Sequence, residues 1–271
     1  MPTMKLYQNG TSVYMGGFGT HVRAKRGEVI GWSKGAARRQ TRWLWSVSSD
    51  DLSGFGYALT LTLLDTPESA ADFHLLRNAY LKRLERMGTT RVHWVIEWQE
   101  RGAPHLHLAV YFDRELSEWD FGMLLEHWLQ VAREFGASWG AQDVKVITGS
   151  LGWLKYLSKH ASRGVNHYQR LGHPETWDKT GRLWGHGGAW PVVEPYVLDH
   201  LNAPEFYAVR RVMRGWSYAD ARKAGDLNRM KYLKRSWSRS SSTKSHFLGA
   251  AEWIPQDVAL RVVDYFEREG V

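Results

Sequence analysis

Two histidines one residue apart, His105 and His107, close the run Glu97-Trp-Gln-Glu-Arg-Gly-Ala-Pro-His105-Leu106-His107. Side chains alternate along a strand, so Leu106, Leu108, Val110 and Phe112 share one face and the two histidines share the other. In the preceding apolar run, Val92, Trp94, Ile96 and Trp98 form the matching inward set, which turns His93, Val95, Glu97 and Gln99 to the histidine side. A hairpin turning near Arg101-Gly102 brings Glu97 opposite the pair. Two imidazoles and a carboxylate, with positions left for water and a phosphate oxygen, form a divalent metal site. Nitrogen donors favour Mn²⁺ or another transition metal, and Mg²⁺ is the other candidate. Glu97 is the preferred third ligand and Gln99 its competitor. Thr60 and Thr62, on an earlier strand, are expected on the same side.

A second group lies further along. In Leu151-Gly-Trp153-Leu-Lys155-Tyr156-Leu-Ser-Lys159-His160-Ala-Ser-Arg163, Leu154, Leu157 and Ala161 form an apolar stripe. Tyr156, Lys159, His160 and Arg163 fall at i, i+3, i+4 and i+7 on the other side. Cations beside a phenol favour the phenolate, which a covalent tyrosine nucleophile requires. Tyr168 is the weaker nucleophile candidate, because no comparable lysine follows it. Trp153 is the stacking candidate for an unpaired base. The competing reading is an ordinary amphipathic helix, and for the histidines an ordinary polar strand face.

The elements that must position these groups follow a regular order. Residues 56–64 read as a strand. Thr66 as N-cap and Pro67 at N1 open a helix with Phe73, Leu76, Tyr80, Leu84 and Met87 on one side, and Gly88 stops it. Residues 91–98 and 105–112 are strands, Ser117 caps a helix carrying Leu124, Leu125, Trp128, Ala132 and Phe135, and 143–147 is a short strand. Ser150 caps a further helix to about Arg163. The order βαββαβ then α predicts an α+β fold, a ferredoxin-like antiparallel sheet with helices on one face and an added nucleophile helix. The expected organisation is a basic N-terminal extension (1–50), a metal-and-tyrosine domain (51–165), an irregular or short-stranded Gly/Trp-rich segment packing on it (166–205) and a basic helical C-terminal region (206–271).

Charge agrees with a polyanionic partner. The chain of 271 residues has 36 Lys plus Arg against 28 Asp plus Glu. The excess is concentrated at the flanks: residues 1–50 carry eight basic and two acidic side chains, 206–246 eleven and two, and 51–165 twelve and fourteen. A near-neutral centre between basic arms suits a carboxylate-bearing core held on nucleic acid. Arg210, Arg211, Arg214, Arg222 and Lys223 are candidates for phosphate contact or a solvated helix face. The absence of cysteine excludes disulfides and thiolate zinc sites. The N-terminus has no apolar core of a signal peptide, and no run of eighteen apolar residues occurs, so a soluble cytoplasmic protein without a membrane span is expected.

The motifs together resemble the rolling-circle replication initiators of plasmids and small phages within the HUH endonucleases. His105-Leu106-His107 is similar to the family's His-hydrophobic-His motif. Tyr57-Ala-Leu-Thr60-Leu-Thr62 looks like its first strand motif, and Tyr156-Leu-Ser-Lys159 like its Tyr-x-x-Lys motif. The Glu97-to-His105 run resembles the form in filamentous-phage initiators, and Gly181–Pro191 resembles a Gly/Trp-rich segment of these proteins. The resemblance implies metal-dependent nicking of single-stranded DNA at a replication origin, a 5′-phosphotyrosine on Tyr156, a 3′-OH that primes synthesis, and later rejoining. It implies Lys159 beside the nucleophile and host replication proteins as further partners, with a DNA hairpin as one form of the origin. Thr60, Thr62, Gln99, Trp153, His160 and Arg163 are the DNA-contact candidates. Some initiators carry two tyrosines one helical turn apart; here those places hold Gly152 and His160, so the chain reads as a single-tyrosine enzyme. No G-x-x-x-x-G-K-[ST] loop is present, so no fused helicase is expected. The alternatives are a single-tyrosine transposase of the same superfamily, a hydrolytic metallonuclease, and a non-catalytic nucleic-acid-binding protein.

Overall fold

The computed structural model describes residues 2–15, 27–148, 165–240 and 249–269, which divide into two units. In chain order the elements are β1 (Pro2–Tyr7), β2 (Gly10–Met15), α1 (Lys34–Ser46), β3 (Phe55–Thr62), α2 (Ala70–Arg86), β4 (Thr89–Trp98) and β5 (Pro104–Phe112). They continue with α3 (Glu118–Val131), β6 (Asp143–Ile147), β7 (Trp184–Gly188), β8 (Tyr196–Leu198), α4 (Ala203–Lys223), α5 (Leu227–Ser240), β9 (Gly249–Glu252) and α6 (Gln256–Glu269). No helix among the described residues is long and apolar enough to cross a membrane.

The larger unit lies within Ala24–Leu44 and Ser49–Pro191. It is built on a five-stranded antiparallel sheet in the order β6-β3-β5-β4-β7. The expected βαββαβ succession is present from β3 to β6. The inward residues of the strands (Leu59, Leu61, Trp94, Ile96, Trp98, Leu106, Leu108) meet Phe73, Tyr80 and Leu84 of α2 and Leu124 and Trp128 of α3 in one apolar core. At about 25 cal/mol per Å² of apolar surface, removing these large side chains from water supplies the main drive for packing both helices on this face.

The helix starts show what local sequence decides. Ser117 caps α3 as expected, in a reciprocal box with Asp120. The start of α2 differs from expectation. The N-cap is Ser69, boxed with Asp72, and not Thr66. Pro67 is buried, and its carbonyl accepts a hydrogen bond from the Trp177 indole (2.8 Å), so tertiary packing holds the chain out of the helix for one more turn. Gly88, at φ +92°, follows the C-cap Met87.

The opposite face of the sheet, expected to carry no helix, is partly covered. Most residues of β4 and β5 are buried. Trp43 of α1 lies flat on His93, with ring centroids 5.1 Å apart and planes 9° apart. The segment read as irregular or short-stranded, 166–205, supplies β7 as the fifth strand. Its Gly185 is required by contact, because a Cβ there would sit 2.6 Å from the Trp94 ring.

The smaller unit lies within Met1–Arg23, Trp45–Ser48 and Val192–Val271. Its antiparallel sheet runs β8-β1-β2-β9. Met4, Leu6 and Val13 of that sheet pack on Phe206, Val209 and Met213 of α4 and on Ile254 and Ala259. Asn202 and Glu205 form the capping box of α4. Arg210, a candidate for phosphate contact, is buried with its guanidinium over Phe206.

Candidate functional site

Strand register puts the chemistry-bearing residues into two adjacent rows. Thr62, His105 and Glu97 pair across β3, β5 and β4, and Thr60, His107 and Val95 form the next row on the same face. The hairpin that aligns them turns at Gln99–Ala103, with the Gly102 amide donating to the Gln99 carbonyl and Gly102 at φ +84°. The histidine rings stack at 4.4 Å with planes 16° apart. His107 Nε2 stands 3.6 Å from Glu97 Oε2. On the other side of that ring, Nδ1 lies 3.3 Å from Thr60 Oγ1. When Nδ1–H donates to the threonine, the Nε2 lone pair is left for a metal, the usual way an outer partner sets the tautomer of a ligating histidine.

Behind Glu97 stands Arg170, which no local motif singles out. Its Nε donates to Glu97 Oε1 (3.2 Å) and its terminal nitrogen to Gln40 Oε1 of α1 (3.4 Å), while its guanidinium lies 4.0 Å above the Trp32 ring. Both charged side chains have zero exposure. Desolvating such ions costs several kcal/mol each unless geometry and further hydrogen bonds offset it. The carboxylate is thereby divided: one oxygen is held by the arginine, and the other faces His107.

The donor set fits a divalent metal in kind, with two imidazole nitrogens and one carboxylate oxygen. Among the described residues no three His, Asp or Glu side chains already close round one point in ligand geometry. The two histidines and Oε2 of Glu97 are the groups that would hold the ion. Gln99, the competing ligand, shares an open cavity of about 650 Å³ with His105, Arg101 and Tyr168, and its Oε1 accepts from Arg101 Nε (2.8 Å). Tyr168 is 58% exposed at that rim.

The remaining candidates separate clearly. Thr60 touches His107. The Thr62 hydroxyl donates to the Ala141 carbonyl (2.8 Å), and its amide donates to Gln142 Oε1 (2.7 Å), so it pins the segment leading into β6. His93 is wholly buried beneath Trp43. Tyr156, Lys159, His160, Arg163 and Trp153 lie outside the described residues, as does the helix expected from Ser150. Trp43 also stacks on His186 of β7 at 4.2 Å and 11°. Burial, and then the nearby charge of Arg182, lower the His186 pKa.

Comparison with known proteins gives a consistent set of relatives. Residues 56–161 match the family described as replication-associated protein ORF2/G2P. The chain is 42% identical to a replication protein of Xylella fastidiosa strain 9a5c, over 96% of this chain and 94% of the relative. It is also 42% identical to one from strain Temecula1, over 93% and 99% respectively. It is 40% identical to the replication-associated protein G2P of Pseudomonas phage Pf3, over 96% and 94%. No solved structure matches the chain.

Proposed function

The chain belongs to the ORF2/G2P family of replication-associated proteins, and from that premise we propose that it starts rolling-circle replication by nicking and rejoining single-stranded DNA at an origin. The observation that carries the reading is the row-by-row assembly of Glu97, His105, His107 and Thr60 on one sheet face, within the matched segment.

A divalent ion, Mn²⁺ or Mg²⁺, held by His105, His107 and Glu97 would polarise the scissile phosphate and neutralise charge developing on its oxygens. Arg170 fixes the Glu97 carboxylate so that one oxygen stays turned to His107, and Thr60 fixes the ring of His107. Tyr156 is the proposed nucleophile. Its phenolate oxygen bonds to phosphorus, the bond from phosphorus to the 3′ oxygen breaks, and that oxygen takes a proton to become the 3′-OH primer. Lys159 favours the phenolate through its positive charge. In the reverse step the 3′-OH attacks the phosphotyrosine, its proton returns to the phenolate, and the strand is rejoined. No hydrolysis is needed, since one phosphoester replaces another. His160, Arg163, Gln99 and Trp153 are proposed DNA contacts.

One observation favours a second reading of the nucleophile: Tyr168 is exposed on the cavity that His105 lines. Mapping any DNA-linked peptide by mass spectrometry decides between the tyrosines. The metal assignment is tested with an origin oligonucleotide and Mn²⁺. His105→Ala and His107→Ala should each reduce nicking by at least a hundredfold while leaving single-strand binding measurable. Nicking at the wild-type rate in both variants would refute the assignment.

A further inference from the structure

A second cavity, of about 350 Å³ and basic, lies beside the edge strand β7. It is lined by Arg39 of α1, Arg182, Trp184 and His186, together with Val29 and Gly31. Among the described residues, no carboxylate lines it. Arg39 and Arg182 are exposed and form no ion pair among the described residues. Cations gathered without a counter-charge repel each other and lower the cost of bringing an anion among them. Trp184 adds a half-buried indole, whose ring face suits a base. The volume is at the lower end of the range of small-ligand pockets.

Register ties this cavity to the candidate metal centre. Val95 pairs with His107 on one side and with Trp184 on the other. The three residues form one row on one face, so the backbones at His107 and Trp184 stand two strand spacings apart, roughly 10 Å. A strand of DNA with its scissile phosphate at the histidines has its neighbouring nucleotides within reach of β7.

We propose that this cavity takes one nucleotide of the single strand beside the scissile phosphate, its base stacked on Trp184 and its phosphate between Arg39 and Arg182. The proposal rests on the nicking function above and adds to it the site that sets the register of the strand. A nucleotide seated there fixes which phosphate reaches the histidines.

Binding of a fluorescein-labelled single-stranded origin oligonucleotide, followed by anisotropy across a salt series, tests the cavity. Trp184→Ala should weaken binding about tenfold, and Trp184→Phe, which keeps a stacking face, should recover most of it. Arg39→Gln/Arg182→Gln alters exposed side chains and should flatten the slope of log affinity against log salt by about 0.7, as for one lost phosphate contact on a single strand. A wild type that nicks, with Trp184→Ala and the double variant matching its affinity and salt slope, overturns the cavity and leaves the nicking function standing. An equal loss on a blunt duplex also overturns it, since the arginines would then be a general basic surface. A wild type that neither binds nor nicks overturns both.

Discussion

Arg170 Nε donates to Glu97 Oε1 across 3.2 Å with neither side chain exposed, so the carboxylate of the candidate metal centre is held from behind by a buried cation. Removing one member of such a pair leaves the other charge in a low-dielectric site. Arg170→Ala should therefore destabilise the larger unit by about 3–5 kcal/mol, read as a lowered urea midpoint. A loss under about 1 kcal/mol, the scale of a surface pair, would show that the pair is not buried in solution.

Thr60 is expected to act through His107. Thr60→Val keeps the shape and removes the oxygen 3.3 Å from Nδ1. Outer partners of ligating histidines change metal affinity about tenfold to a hundredfold. Mn²⁺ titration by calorimetry should show a loss of that order with the fold intact. Unchanged affinity would separate Thr60 from the metal.

Tyr80 joins the two helices of the main core, its hydroxyl donating to the Leu124 carbonyl at 2.9 Å. Burial raises the phenol pKa far above its ordinary value. A folded pKa above the unfolded one gives stability that is complete below the unfolded value, about 10, and is lost as pH rises towards the folded value. Tyr80→Phe should cost about 1 kcal/mol at neutral pH and should unfold less steeply than wild type above about pH 10. Parallel alkaline unfolding curves would contradict this.

His186 has its pKa lowered by burial and then by Arg182. Removing the cation removes the second effect only. Arg182→Gln should raise the His186 pKa part of the way to its ordinary value, seen by NMR titration of the ring. No shift would mean that Arg182 points away from β7 in solution.

Much of the larger unit was legible because its signals are periodic. Alternation placed Glu97, His105 and His107 on one face, and the observed pairing of Glu97 with His105 follows from it. The apolar stripe of α2 was legible too, but its start was not, since the Trp177 bond to Pro67 joins residues far apart in sequence. Arg170 was invisible for the same reason: in His167-Tyr-Gln-Arg170 nothing local marks an arginine that will be buried against Glu97. Trp43 lies in what read only as a basic N-terminal extension, and the fold puts it flat on His93 and His186. β1 and β2 were missed because their buried positions do not alternate strictly: both Thr3 and Met4, and both Leu6 and Tyr7, are buried. The helix expected to carry the nucleophile was read from spacing, from its place after the βαββαβ succession and from the Tyr-x-x-Lys resemblance, and its residues lie outside the described residues.

The most direct measurement is a covalent-capture assay. Wild-type protein and Tyr156→Phe are incubated with single-stranded oligonucleotides tiling the origin of the encoding element, in the presence of Mn²⁺, and resolved on denaturing gels. The account predicts an SDS-resistant protein–DNA adduct and a free 3′-OH fragment with wild type, and neither with Tyr156→Phe. Cleavage by both proteins without any adduct would contradict it and leave a hydrolytic nuclease in its place.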